Sequence, residues 1–271
     1  MLFSVVNYAE NEPTIYSEGA VLIEANTGTV LYEKNSNEKL EPASTTKILT
    51  ALLAIEKCDL NEVATANNTA IKGIPSNYAI ADIRVGEQFT IEQLLNVMLI
   101  HSANEAANVI AEHIAGSQEE FAKMMNERAK ELGCKNSNFV NANGLENENH
   151  YTTAYDLALI MKQCIKNDVF KKILLTDKCT LPATELNSEE RIFQNNNSLI
   201  EKGDKYYYQY CKGGKTGYTK EAKNCLVSYA SKDGMDLITV VLKGETTETG
   251  EKKEEKAAGR RCKRSEAKSQ N

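Results

Sequence analysis

Hydrophobic and polar positions along the chain predict strands at both ends and helices between them. Residues 19–25 and 28–34 alternate apolar with polar side chains around Asn26-Thr27-Gly28, the pattern of a β-hairpin. Beyond Pro42 the period lengthens. Ile48, Leu49, Leu52, Leu53 and Ile55 recur at helical spacing, so a helix is predicted to start near residue 43 with Pro42 in its first turn. Residues 90–115 and 117–132 read as two further amphipathic helices, the second closed by Gly133. A fourth is predicted over 153–166, with Leu157, Ile160, Met161, Cys164 and Ile165 on its apolar face. Period two returns at 206–216, 224–231 and 235–243, the last pair joined at Asp233-Gly234. This order predicts an α/β sandwich: one antiparallel sheet built from both chain ends, with a helical lobe of about residues 60–170 inserted. A functional site is expected between sheet and lobe. No internal repeat is evident.

The two termini fall outside this pattern. Gly244 to Asn271 is Glu, Lys, Arg, Thr and Ser with almost no apolar residue, so 245–271 is expected to be disordered. Met1 to Asn11 lacks a basic segment and has only the short apolar run Met1–Val6, too little for a signal peptide or a membrane span. Residues 1–17 are therefore expected to be the remnant of a leader that starts upstream, and 18–244 the folded domain.

Composition narrows the function classes. With 271 residues, 41% of them hydrophobic and 26% charged, the chain can bury a sizeable core. A net charge of −6 argues against nucleic acid as a partner. There is no Gly-rich phosphate loop, and His101, His113 and His150 are scattered, so neither a metal nor another cofactor is expected. The seven cysteines (Cys58, Cys134, Cys164, Cys179, Cys211, Cys225 and Cys262) are an odd number without paired spacing, and read as small buried hydrophobes, Cys164 and Cys225 above all.

Three short motifs then carry the chemistry: Ser44-Thr45-Thr46-Lys47, Ser102-Ala103-Asn104 and Lys215-Thr216-Gly217. Singly, each has an ordinary reading as a helix cap, a polar loop between two helices, and a strand end. Together they supply what acyl transfer needs. A serine hydroxyl requires a base within hydrogen-bond reach, and positions i and i+3 of a helix put Lys47 beside Ser44. Ser44 at a helix N-terminus would meet free backbone N–H groups that favour a developing oxyanion. Burial and the second cation Lys215 would both lower the pKa of Lys47. His101 adjoins Ser102, but neighbours on one element usually point apart, so His101 reads as structural.

These motifs, with Ala20–Tyr32, Glu41–Lys47, Asn143-Gly144-Leu145, His150–Ala154, Asp156-Leu157-Ala158 and Lys215–Thr219, resemble the D-alanyl-D-alanine carboxypeptidases of the low-molecular-mass penicillin-binding protein family. The resemblance runs from about Glu18 to Gly244 and implies a β-lactamase/transpeptidase-like fold. It implies that Ser44 attacks the penultimate D-alanine carbonyl, Lys47 accepts its proton, and Ser102 with Lys215 returns a proton to the departing D-alanine. Asn104 would hold the substrate amide, Lys215 and Thr216 its carboxylate, and Gly217 would belong to the same substrate-binding strand. The N–H groups of Ser44 and Tyr218 would form the oxyanion hole. Implied partners are peptidoglycan stem peptides ending in D-Ala-D-Ala and β-lactam inhibitors; a monomer in the extracytoplasmic bacterial envelope is expected. The ends depart from the family. The helix that follows its last strand and supplies a carboxylate-binding arginine cannot be placed, Arg260 and Arg261 do not align with that role, and neither a second β-rich domain nor a membrane anchor is evident. Three alternatives stay open: a class A-like β-lactamase, a crosslink endopeptidase, and a non-catalytic binding protein. The first needs a water-activating glutamate between the second and third motifs, where Glu146 and Glu148 read as solvent-facing loop charges.

Overall fold

The computed structural model describes residues 14–245. Most of the leader remnant, the tail beyond Glu245, Arg260, Arg261 and Cys262 lie outside the described residues. Ile15 and Ser17 are buried, and Lys34 Nζ donates to both their carbonyls at 2.9 and 2.7 Å, so packing begins upstream of residue 18.

The chain opens with the hairpin β1 (Gly19–Glu24) and β2 (Val30–Lys34), then enters a 3-10 turn (Ala43–Thr46) that leads into α1 (Lys47–Lys57). β3 (Val63–Thr65), α2 (Asn68–Ile71) and β4 (Gln88–Thr90) precede α3 (Ile91–Ile100), α4 (Asn104–Ala115) and α5 (Gln118–Glu131). α6 (Ala154–Cys164) and α7 (Asp168–Leu174) follow, then the hairpin β5 (Lys178–Leu181) and β6 (Arg191–Gln194). β7 (Cys211–Thr219), β8 (Lys223–Lys232) and β9 (Met235–Gly244) complete it.

The five-stranded sheet runs β2-β1-β9-β8-β7, so the first strand pairs with the last and β7 is an edge. β1 is buried along nearly its whole length and β8 along most of it. Both faces of the sheet are covered: α6 packs on β1, β8 and β9, while Ile15, Leu199, Tyr208, Leu226 and Val241 form a smaller core opposite. α1 is buried from Lys47 to Ala54 and touches α3, α4, α5, α6 and α7, which makes it the axis of the molecule.

Two sequence expectations change. The helix read over 90–115 is broken at His101–Ala103, where Ser102 takes a left-handed φ of 73° and α4 restarts at Asn104. Neither glycine nor proline announces this break; the turn is held by tertiary partners, with Asn104 N–H donating to Ala79 O at 3.0 Å. The strand expected over 206–216 begins instead at Cys211 and ends at Thr219. Tyr206 to Tyr210 alternate suitably but form turns, among them Cys211 N–H to Tyr208 O at 2.9 Å, while Tyr208 fills the smaller core. Lys215, Thr216 and Gly217 consequently sit inside the strand rather than at its end.

Candidate active site

Ser44 lies in the 3-10 turn, the last turn before the chain enters α1. Ala43 just before it holds φ 47°, a left-handed conformation that costs a non-glycine residue about 1 kcal/mol or more. Two segments clamp this turn. Gly144, at φ 82°, lies so close that a Cβ there would fall 1.9 Å from Ala43 O. On the other side a Cβ on Gly217 would meet Ser44 N at 3.0 Å, so β7 passes directly against this turn.

Lys47 is fully buried, and its Nζ reaches three acceptors: Ser44 Oγ at 2.9 Å, Asn104 Oδ1 at 2.8 Å and the Asn143 carbonyl at 2.6 Å. Burial, foremost, and the charge of Lys215 hold its pKa well below that of an ordinary lysine, and Glu105 opposes them. A neutral amine has two hydrogens and one lone pair. Asn104 Oδ1 and Asn143 O only accept, so both hydrogens are committed to them and the lone pair is left facing the Ser44 hydroxyl. The arrangement suits a base beside a serine nucleophile.

The second motif reaches the first through Asn104. Its main-chain N–H and Nδ2 both donate to Ala79 O, at 3.0 and 2.9 Å, which fixes the amide with Oδ1 toward Lys47. Ser102 is buried two residues earlier in the broken turn. Glu105 follows, buried, with Oε1 accepting from Ala81 N at 2.5 Å and Oε2 without a hydrogen-bond partner among the described residues; burial raises its pKa. His101 Nε2 donates to Ile80 O at 3.1 Å and its ring packs tilted against Phe193, which agrees with a structural reading. Lys215 is buried, close enough to bear electrostatically on both Lys47 and His101, and its Nζ donates to Thr216 O at 3.0 Å. Thr216 is half-buried, and the Tyr218 side chain is exposed on an edge strand with no strand beyond it among the described residues. All three motifs therefore meet at the 3-10 turn, between β7 and the helices.

Several neighbours carry no signal in the motifs themselves. The Asn143 carbonyl is a main-chain group, and only the adjoining Gly144, which resembles the family's Asn-Gly-Leu stretch, marks its place. His150 is buried behind the nucleophile turn. Val140 N–H donates to its Nδ1 at 3.1 Å, so Nε2 carries the proton and donates to Thr46 Oγ1 at 2.8 Å. Burial, with Lys47 nearby, depresses its pKa to about 4, which keeps it neutral. Glu146 and Glu148 are exposed, and Glu146 accepts from the Tyr78 hydroxyl at 3.1 Å. Folding also brings His113 together with Cys58 and Glu62, a grouping that their spacing along the chain hides.

The sequence profile of the D-alanyl-D-alanine carboxypeptidase family (peptidase family S11) matches residues 6–246. The chain belongs to this family. It is 40% identical over 233 residues to D-alanyl-D-alanine carboxypeptidase DacF of Bacillus subtilis (strain 168), covering 85% of this chain and 58% of that protein. The chain thus spans little more than half the length of that relative. The crystal structure of D-alanyl-D-alanine carboxypeptidase from Mycobacterium tuberculosis H37Rv superposes with a TM-score of 0.82 at 28% identity, over 92% of this chain and 90% of that one. The Streptomyces K15 DD-transpeptidase superposes with a TM-score of 0.80 at 29% identity, over 87% and 93%. The fold is accordingly the penicillin-binding DD-peptidase fold, an antiparallel sheet with helices on it, as the resemblance implied.

Proposed function

We propose that this chain is a serine-type D-Ala-D-Ala carboxypeptidase whose residues 18–244 form the catalytic domain. Its substrates are peptidoglycan stem peptides ending in D-Ala-D-Ala, met outside the cytoplasmic membrane, and the protein works as a monomer. The observation that carries this reading is the Lys47 amine, buried beside a second lysine, tethered by Asn104 and Asn143 and aimed at Ser44 Oγ.

The peptide lies along the open edge of β7, where an extended chain finds unpaired backbone groups. Lys215 and Thr216 hold its terminal carboxylate, Gly217 leaves room beside the nucleophile turn, and Asn104 receives the substrate amide through its remaining N–H. Neutral Lys47 takes the Ser44 hydroxyl proton as Oγ bonds to the penultimate D-alanine carbonyl carbon. The oxyanion so formed faces the N–H groups of Ser44 and Tyr218. When the intermediate collapses, the C–N bond breaks and the proton that Lys47 accepted passes to the leaving amine through Ser102 and Lys215, so D-alanine departs neutral at nitrogen and Lys47 is again an uncharged base. Water then attacks the Ser44 ester and gives a proton to Lys47, which returns it to Ser44 Oγ as the shortened peptide leaves. A β-lactam enters by the same attack and leaves slowly. Exposure of Glu146 and Glu148 supports a carboxypeptidase over a class A-like β-lactamase.

Intact mass after incubation with fluorescent penicillin tests the reading. One adduct is expected, lost in Ser44→Ala, together with D-alanine release from a pentapeptide. A folded wild-type chain that takes no adduct would exclude it.

A further inference from the structure

At the other end of α1 from Lys47, about 16 Å along a helix of this length, three side chains of different chemistry converge. Cys58 is the C-cap residue of α1, Glu62 precedes β3, and His113 lies in the last turn of α4. Their ligand atoms all lie within 4.8 Å of one another, and His113 Nε2 is 2.8 Å from Glu62 Oε1. The backbone that carries them is fixed. Cys58 N–H donates to Ala54 O at 3.0 Å, Glu62 N–H to Asp59 O at 3.0 Å, Ile91 N–H to Glu62 O at 2.9 Å, and Gly116 N–H to Glu112 O at 2.8 Å.

We propose that Cys58, Glu62 and His113 bind a zinc ion, with water as the fourth ligand. Zinc bonds of about 2.0–2.3 Å to N, O and S put tetrahedral ligands about 3.5 Å apart, so the observed set needs side-chain rotations of order 1 Å and no backbone shift. The donor types select the metal: thiolate and imidazole disfavour magnesium and calcium, and a mixed S/N/O tetrahedron suits zinc. Charge balances as well. On binding, the Cys58 thiol releases its proton to solvent, and thiolate, carboxylate and neutral imidazole together offset the two charges of the ion. Cys134, Cys164, Cys179, Cys211 and Cys225 stand in no comparable group among the described residues. The ion would join the C-terminal ends of α1 and α4, whose N-terminal ends carry Lys47 and Asn104.

Cobalt titration of the chelator-stripped full chain tests the site, because thiolate ligation gives a charge-transfer band in the near-ultraviolet that zinc then abolishes. One equivalent is expected to develop the band, Cys58→Ser to remove it and Cys179→Ser to keep it. Glu62→Gln and His113→Gln are each expected to weaken zinc binding more than about tenfold in a competition assay. Circular dichroism checks that each variant is folded. No band at one equivalent, a band that survives Cys58→Ser, or unchanged zinc affinity in both Glu62→Gln and His113→Gln overturns the proposal.

Discussion

A neutral lysine inside a protein is held by what surrounds it, and around Lys47 two influences oppose each other. Burial and Lys215 push its proton off, while Glu105 pulls it back. In the proposed mechanism Lys47 must be neutral to accept the Ser44 proton, so removing the negative charge of Glu105 should extend activity toward acid. Glu105→Gln, which keeps an acceptor for Ala81 N–H, is therefore expected to move the acid limb of the penicillin acylation rate to lower pH. An acid limb that stays put would show Glu105 to be already uncharged over the range measured. Asn104 illustrates a different economy at this scale. In the structure its carbonyl oxygen serves Lys47 and its amide serves Ala79, so the part proposed for it in holding a substrate would rest on the one N–H left over.

The segment 141–145 shows how an element without regular structure can decide a site. Thr50 Oγ1 donates to Ala142 O at 2.6 Å, Gly144 N–H to Asn141 Oδ1 at 2.7 Å, and Asn143 Nδ2 to Asn108 Oδ1 at 2.9 Å, which ties the loop to α1 and α4. Gly144→Ala puts a methyl group on the Ala43 carbonyl and forces a left-handed alanine. It is expected to lower stability by about 2 kcal/mol and to slow acylation further than that loss explains, read by thermal unfolding and by fluorescent penicillin kinetics. Wild-type kinetics in a destabilised variant would separate the loop from the chemistry. Apolar period and turn residues made most elements legible in advance, from the β1–β2 hairpin to Gly133 behind α5, because burial acts on these directly. The break at Ser102 and the loss of strand at Tyr206–Tyr210 were not legible. In both, contacts distant along the chain outweigh local preference: Ala79 stops a helix, and the smaller core draws Tyr208 inward. The motif residues were readable for the opposite reason, since their chemistry fixes residue type at short spacing. Glu105, His150 and the Asn143 carbonyl act through burial, which no spacing reports.

The stability of the whole molecule inherits a pH dependence from the same interior. His150 titrates near 6.5 in an unfolded chain and near 4 when folded. Its folded value is depressed, so its contribution is complete above about 6.5 and is lost as pH falls toward about 4, where the folded chain also accepts the proton. About 3 kcal/mol should disappear across that window, seen as falling urea midpoints between pH 7 and 4.5. His150→Gln should flatten the slope; an equal slope in the variant would assign the loss to other groups. The sheet has a consequence of another kind. β1 leaves the ribosome first, but its neighbour β9 comes last, and Lys215 emerges long after Ser44. Until β7 is made and paired with β8, Ser44 has no second lysine and no strand beside it. Under the proposed function, a chain whose C-terminal strands are still to be made is therefore inert toward peptide and penicillin alike, and hydrolysis begins only once synthesis has finished.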